Sequence, residues 1–179
     1  MNAPRLELRP ARIADVPALA RIYQRTRTTC LPYLPVLHDE AEHREWLARR
    51  ARGDGELWVA ARGAPIGFAA VRDDWLDHLY VEPEAQGAGA GTALLGLAMR
   101  SQDFLQLWVF QKNVRAIRFY ESHEFRLVKR TDGSANEERE PDALYAWRAS
   151  VQRGRDASAI ATTNAGARPS SISPSIERT

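Results

Sequence analysis

The stretch Asp77–Leu97, DHLYVEPEAQGAGAGTALLGL, constrains this chain more tightly than any other. His78-Leu79-Tyr80-Val81 is a short apolar strand, Glu82-Pro83-Glu84 stops it, and Gln86 to Gly91 is a glycine-rich turn. The turn runs directly into Thr92-Ala93-Leu94-Leu95, where a helix begins. The missing Cβ atoms at Gly87, Gly89 and Gly91 let a ligand approach the backbone. The N–H groups of Gly87, Ala88, Gly89, Ala90, Gly91 and Thr92 can then converge at the positive end of the helix. That arrangement binds phosphate.

Spacing separates the phosphate loops that share this layout. A dinucleotide fingerprint needs G-x-G-x-x-G, but the sixth residue counted from Gly87 is Thr92, and from Gly89 it is Leu94. A P-loop needs Gly-Lys-Ser/Thr, and no lysine lies near. The pattern present is Q-x-x-G-x-G at Gln86, Gly89 and Gly91. An ordinary glycine-rich strand-to-helix turn would share the glycines, so the rest of the chain has to decide.

A chain of 179 residues is enough for one domain with a sizeable core plus a tail. With 25 basic against 23 acidic residues there is no strong field to draw nucleic acid or a membrane. Cys30 is the only cysteine, which rules out an internal disulfide and suits a reducing cytosol. No apolar core of a signal peptide appears in MNAPRLELRP, and no run approaches about 18 apolar residues. A cytoplasmic protein with no nucleic-acid or membrane partner is expected, and a homodimer is left open.

In chain order, Leu6-Glu7-Leu8-Arg9 alternates as a strand and stops at Pro10. Asp15 can cap a helix whose stripe is Val16, Leu19, Ala20 and Tyr23. The segment Thr28–His38 is too proline-broken for a regular helix. Asp39 and Glu42 form a capping box for a helix carrying Trp46, Leu47 and Ala51, ended near Gly53. Leu57–Ala60 and Ile66–Val71 are strands joined by the hairpin Arg62–Pro65, and Asp73-Asp74 turns into the strand Trp75–Val81. After the glycine loop come a helix to about Arg100, a strand Leu105–Phe110, a helix Asn113–Ser122, and strands Phe125–Thr131 and Ala143–Ala149. From Ser150 there are no aromatics, and residues 150–179 read as a disordered tail behind a domain spanning residues 5–149.

A second pattern lies at Asn113–Glu121, N-x-x-A-x-x-F-Y-E. With the Q-x-x-G-x-G loop and its preceding L-Y-V-x-P, it resembles the signatures of the GNAT superfamily of N-acetyltransferases. The resemblance covers about residues 5–149 and is most specific over 77–125. It implies an α/β fold with a mixed, mostly antiparallel central sheet and flanking helices, in which the strand ending at Val81 and the strand Leu105–Phe110 are parallel neighbours that splay apart. Acetyl-CoA would lie in the opening, its pyrophosphate on Gln86–Thr92 and its pantetheine pairing with the main chain around Leu79, Tyr80 and Val81. By the same resemblance, Asn113 holds the pantetheine arm and the Tyr120 hydroxyl protonates the leaving thiolate. The two lie seven residues apart, on one helix face. A thiol ionises near pH 8.5 and a phenol near 10, so the phenol stays protonated at neutral pH and can donate.

An acceptor amine must lose a proton before it attacks. Strict strand alternation puts Trp75, Asp77, Leu79 and Val81 on one side and His78 and Tyr80 on the other. Two positions that hold a base in relatives fall here on Trp75 and Trp108, neither of which can serve. Asp77 is the first candidate base and His78 the second, each with a purely structural alternative as turn cap or packed ring. The family continues Y-E-x-x-G-F, and Glu124 replaces that glycine, which strains the backbone if φ must be positive. His38 and His43 lack the spacing of a metal site, and no metal is expected. Cys30 has no base partner and reads as a buried thiol. The walls of the acceptor site fall, by analogy, on Arg27–His38 and the loop Asp132–Asp142. The chain is therefore expected to move acetyl from acetyl-CoA directly to a primary amine of a small molecule or peptide. The alternative is a catalytically silent acyl-CoA-binding or interaction module using the same cleft.

Overall fold

The computed structural model describes residues 4–149, so the tail expectation lies outside the described residues. The chain runs β1 (Glu7–Pro10), α1 (Val16–Cys30), α2 (Glu40–Ala51), β2 (Glu56–Arg62), β3 (Ala64–Arg72), β4 (Trp75–Val81), α3 (Ala90–Arg100), β5 (Phe104–Phe110), α4 (Val114–Ser122), β6 (Arg126–Arg130) and β7 (Asp142–Arg148). Seven strands form one sheet in the order β1-β2-β3-β4-β5-β7-β6. Every neighbouring pair is antiparallel except β4 and β5. That parallel pair shares a single register position, Trp75 opposite Gln106, so the strands part towards their C-terminal ends.

Helices cover both faces, as a sheet apolar on both sides requires. On one face α3 and α4 pack Leu94, Leu95, Ala116 and Phe119 against Leu105, Leu107 and Tyr145. On the other, α1 and α2 pack Leu19, Ile22, Trp46 and Leu47 against Val59 and Phe68. Leu19, Leu94, Leu95 and Leu105 are wholly buried. Each such side chain stabilises the fold by about 1.5–3 kcal/mol.

Turn chemistry sets the joints. The β2–β3 hairpin turns at Gly63, with φ 77°, and the next turn at Asp73, with φ 53°. Asp39 and Glu42 form the anticipated reciprocal cap: Glu42 N–H donates to Asp39 Oδ1 at 2.9 Å, and Asp39 N–H to Glu42 Oε2 at 2.8 Å.

Three expectations are corrected. Helix α1 continues through Thr28 and Thr29 to Cys30, because the first helix-breaking proline is Pro32. Asp15 stands at the start of α1 but makes no side-chain cap; its carboxylate instead accepts from Arg9 at 2.7 and 2.8 Å and from the Arg12 N–H at 2.7 Å. Cys30 is exposed rather than buried, since it ends α1 on the solvent side.

Candidate active site

The glycine loop leaves β4 through a turn of 3-10 helix, Pro83–Ala85. Gly87 and Gly89 then take φ of 81° and 87°, which side-chain-bearing residues rarely adopt. A Cβ placed at either would meet nothing within 4 Å, so open space lies beside the loop at both positions. Gly89 opens α3, no side chain caps that end, and Ala93 N–H to Gly89 O at 3.0 Å is the first helical bond. The N–H groups of Ala90, Gly91 and Thr92 therefore face the opening without an intrahelical acceptor. This is the cradle an anionic pyrophosphate needs. Gln86 turns the other way: its amide donates to Val81 O at 3.0 Å, where the Thr26 hydroxyl also donates at 3.2 Å.

Beside the cradle, β4 and β5 leave ladder groups beyond Trp75 and Gln106 unpaired with one another. A linear ligand carrying amides can take up such groups, as an added strand would. Asn113 caps α4, its Oδ1 accepting from the Ala116 N–H at 3.1 Å. Tyr120, two turns on, is buried against Phe119 and Phe125, with ring centroids 5.3 and 5.6 Å away. Burial pushes its phenol further above the ordinary value, which keeps it a proton donor at any physiological pH. Phe119 also approaches the position of a Gly91 Cβ at 3.6 Å, which ties α4 to the start of α3.

The two candidate bases lie elsewhere. Opposite β3, Ala70 pairs with His78 and Val71 with Leu76, so Asp77 is the extra residue of a β-bulge. The bulge breaks the assumed alternation and turns Asp77 towards α2. There its carboxylate is ion-paired with Arg50; the two side chains are 4% and 3% exposed. Burial pushes the Asp77 carboxyl up against the pull of that guanidinium. His78 packs edge-on to Trp46, with centroids 4.6 Å apart, and near Tyr23 at 5.8 Å. Burial lowers its pKa to about 3. Asp77 and His78 thus contact the α1–α2 layer, whereas Tyr120 belongs to the core on the α3–α4 face. Arg50 was not singled out in the sequence, although it stands on the stripe of His43, Trp46 and Leu47 at helical spacing, where a buried cation requires a partner.

The two segments expected to wall the acceptor site lie in contact. Arg27 of α1 pairs with the buried Glu138 at 3.3 Å, and His38 with Glu137 at 3.1 Å. A cavity of about 310 Å³ lies there, walled by Tyr23, Arg27, Val36, His38, His43 and Glu138. Tyr80, whose ring is 4.9 Å from that of Tyr23, connects this side of the molecule with β4.

A sheet parted beside a glycine-built helix start is the architecture of an acetyltransferase. The chain belongs to the GNAT family of acetyltransferases: the model of the acetyltransferase (GNAT) domain matches residues 53–127, and two N-acetyltransferase relatives are at least 30% identical over 69% and 86% of their own lengths. Among its relatives is the peptidyl-lysine N-acetyltransferase YjaB of Escherichia coli K12, 31% identical over 102 residues that cover 53% of this chain and 69% of YjaB. Another is the "Probable N-acetyltransferase Rv2775" of Mycobacterium tuberculosis, 30% identical over 152 residues, covering 73% of this chain and 86% of that protein. In fold it is similar to yncA from Salmonella typhimurium, solved with its cofactor acetyl-CoA, with a TM-score of 0.65 at 20% identity over 80% of this chain and 94% of that one. No helix among the described residues is long and apolar enough to cross a membrane.

Proposed function

We propose that this acetyltransferase moves the acetyl group of acetyl-CoA directly onto a primary amine, and that the acceptor is a lysine side chain in a peptide or protein. The observation that carries the reading is the opening between β4 and β5, with an uncapped, glycine-built helix start at one end. Acetyl-CoA supplies the acetyl group as an activated thioester. On the protein side, Gly87, Ala88, Gly89, Ala90, Gly91 and Thr92 receive the pyrophosphate, and the main chain of Leu79, Tyr80 and Val81 aligns the pantetheine. Asn113 reaches the same arm with its amide nitrogen, and Gln86 acts by holding the loop to Val81. Tyr120 gives its proton to the departing sulfur. A lysine amine is protonated at neutral pH, with a pKa of about 10.4. Because Asp77 is committed to Arg50 and His78 is packed among rings, the amine's proton leaves to water in the cleft. The lysine preference is supported by the activity for which YjaB is named, and by a cavity whose tyrosine and valine walls suit an aliphatic stem.

The test combines binding and turnover. Acetyl-CoA should raise the melting temperature, because a ligand that binds only the folded state stabilises it. Gly89→Glu should abolish the shift by placing a carboxylate in the cradle. Incubation with acetyl-CoA and a library of lysine peptides and small amines should then release free CoA and leave an acetylated product. Stabilisation by ATP or NADH but not CoA would sink the donor assignment, and transfer confined to small amines would sink the lysine assignment.

A further inference from the structure

We infer that Arg62 is a positioning residue for the pyrophosphate of acetyl-CoA, because it holds the Ala88–Gly89 peptide in the orientation that turns the Gly89 N–H into the cradle. The inference rests on the donor reading above. Arg62 ends β2 at the hairpin, and its Nη2 donates to Ala88 O at 3.0 Å. A trans peptide is planar, with its C=O and N–H pointing opposite ways. No peptide among the described residues is cis. Drawing the Ala88 carbonyl towards Arg62 therefore sends the Gly89 N–H away from Arg62.

The loop cannot make that choice by itself. Gly87 and Gly89 stand on either side of Ala88 with positive φ, and open space lies where their Cβ atoms would be. Glycines oppose rotation of a peptide plane only weakly, so an outside bond must select the orientation. The other polar groups near the loop are committed elsewhere. Gln86 donates to Val81 O, and Arg25 is paired with Glu82 and Glu84. Among the described residues, Arg62 is the side chain that donates to the Ala88 carbonyl. The bond is exposed, so it contributes orientation more than stability.

The experiment titrates CoA, 3′-dephospho-CoA and pantetheine by chemical-shift perturbation into the wild type, Arg62→Ala and Arg62→Lys. Arg62→Ala should weaken CoA and 3′-dephospho-CoA by the same factor, roughly tenfold, the size of one lost hydrogen bond to a charged group. Pantetheine, which lacks the pyrophosphate, should bind all three proteins alike. Arg62→Lys should recover most of the loss, since an ammonium can still donate to Ala88. An unchanged melting temperature of the free Arg62→Ala protein shows that it folds. Unaltered CoA binding in Arg62→Ala overturns the inference. So does a loss seen with CoA but not with 3′-dephospho-CoA, which would put Arg62 on the 3′-phosphate, or an equal loss for pantetheine. A wild type that binds no CoA removes the donor reading, and this inference with it.

Discussion

Tyr120 is enclosed by rings, and its hydroxyl is the one polar atom on that side chain, so the substitution that removes it changes little else. Tyr120→Phe should lower kcat by about 10²–10⁴-fold, the usual contribution of a general acid, with acetyl-CoA affinity unchanged. Steady-state rates on the best peptide acceptor check it; full activity would leave Tyr120 as packing alone. Asp77 and His78 lead to the opposite expectation. In Asp77→Asn and His78→Gln the acidic limb of the pH–rate profile should stay where it is in the wild type. A shifted limb in either variant would restore that residue as the base. Asp77→Asn should instead weaken the fold, by about 3–5 kcal/mol in urea unfolding, because it leaves the buried Arg50 charge without its counterion.

Element α4 ends in an arrangement that its sequence predicted to be strained. Phe125 N–H donates to Tyr120 O at 3.1 Å and Glu124 N–H to Glu121 O at 3.1 Å, the two bonds of a Schellman motif, with Glu124 at φ 69°. The motif holds the Phe125 ring against Tyr120, so it also seats the proposed acid. Glu124→Gly should relieve the left-handed strain and gain about 1 kcal/mol, a rise of about 2–4 °C in Tm. A calorimetric scan showing a fall would mean that the glutamate side chain contributes more than the backbone strain costs. The position of this end was legible because helix stops are local: the Asn113 cap and the residues up to Phe125 lie within one short stretch. The β4 bulge was not. Its sequence reads as plain alternation, and the extra residue appears only when β3 supplies the register against which Asp77 is left over. For the same reason Asp77 and His78 were assigned to opposite faces, although both contact the α1–α2 layer. Arg50, the partner that claims Asp77, is far away in sequence and near only in the fold.

For the whole molecule, acid should be the main threat to stability. His78 titrates near pH 6.5 in an unfolded chain and at about 3 in the fold, and burial lowers His43 as well. The unfolded state therefore takes up protons first. The stability that His78 contributes is fully present above about pH 6.5 and falls as pH drops towards 3, by about 1.4 kcal/mol per unit, and His43 adds a loss in the same direction. Urea midpoints measured at pH 7 and pH 5 should show the loss, and His78→Gln should shrink it; an equal loss in that variant would clear His78 of responsibility. The order of elements and both apolar faces could be read from the chain, whereas the parting of β4 from β5 came only with the family likeness, since no residue pattern within either strand encodes it. That parting divides the sheet into a leaf of four strands and a leaf of three, pinned where Trp75 meets Gln106 and Gln106 N–H reaches Asp74 O at 2.8 Å. Arg27 rides on the first leaf and Glu138 on the second. The dihedral between the leaves therefore sets two widths at once, that of the slot proposed for the donor and that of the mouth proposed for the acceptor.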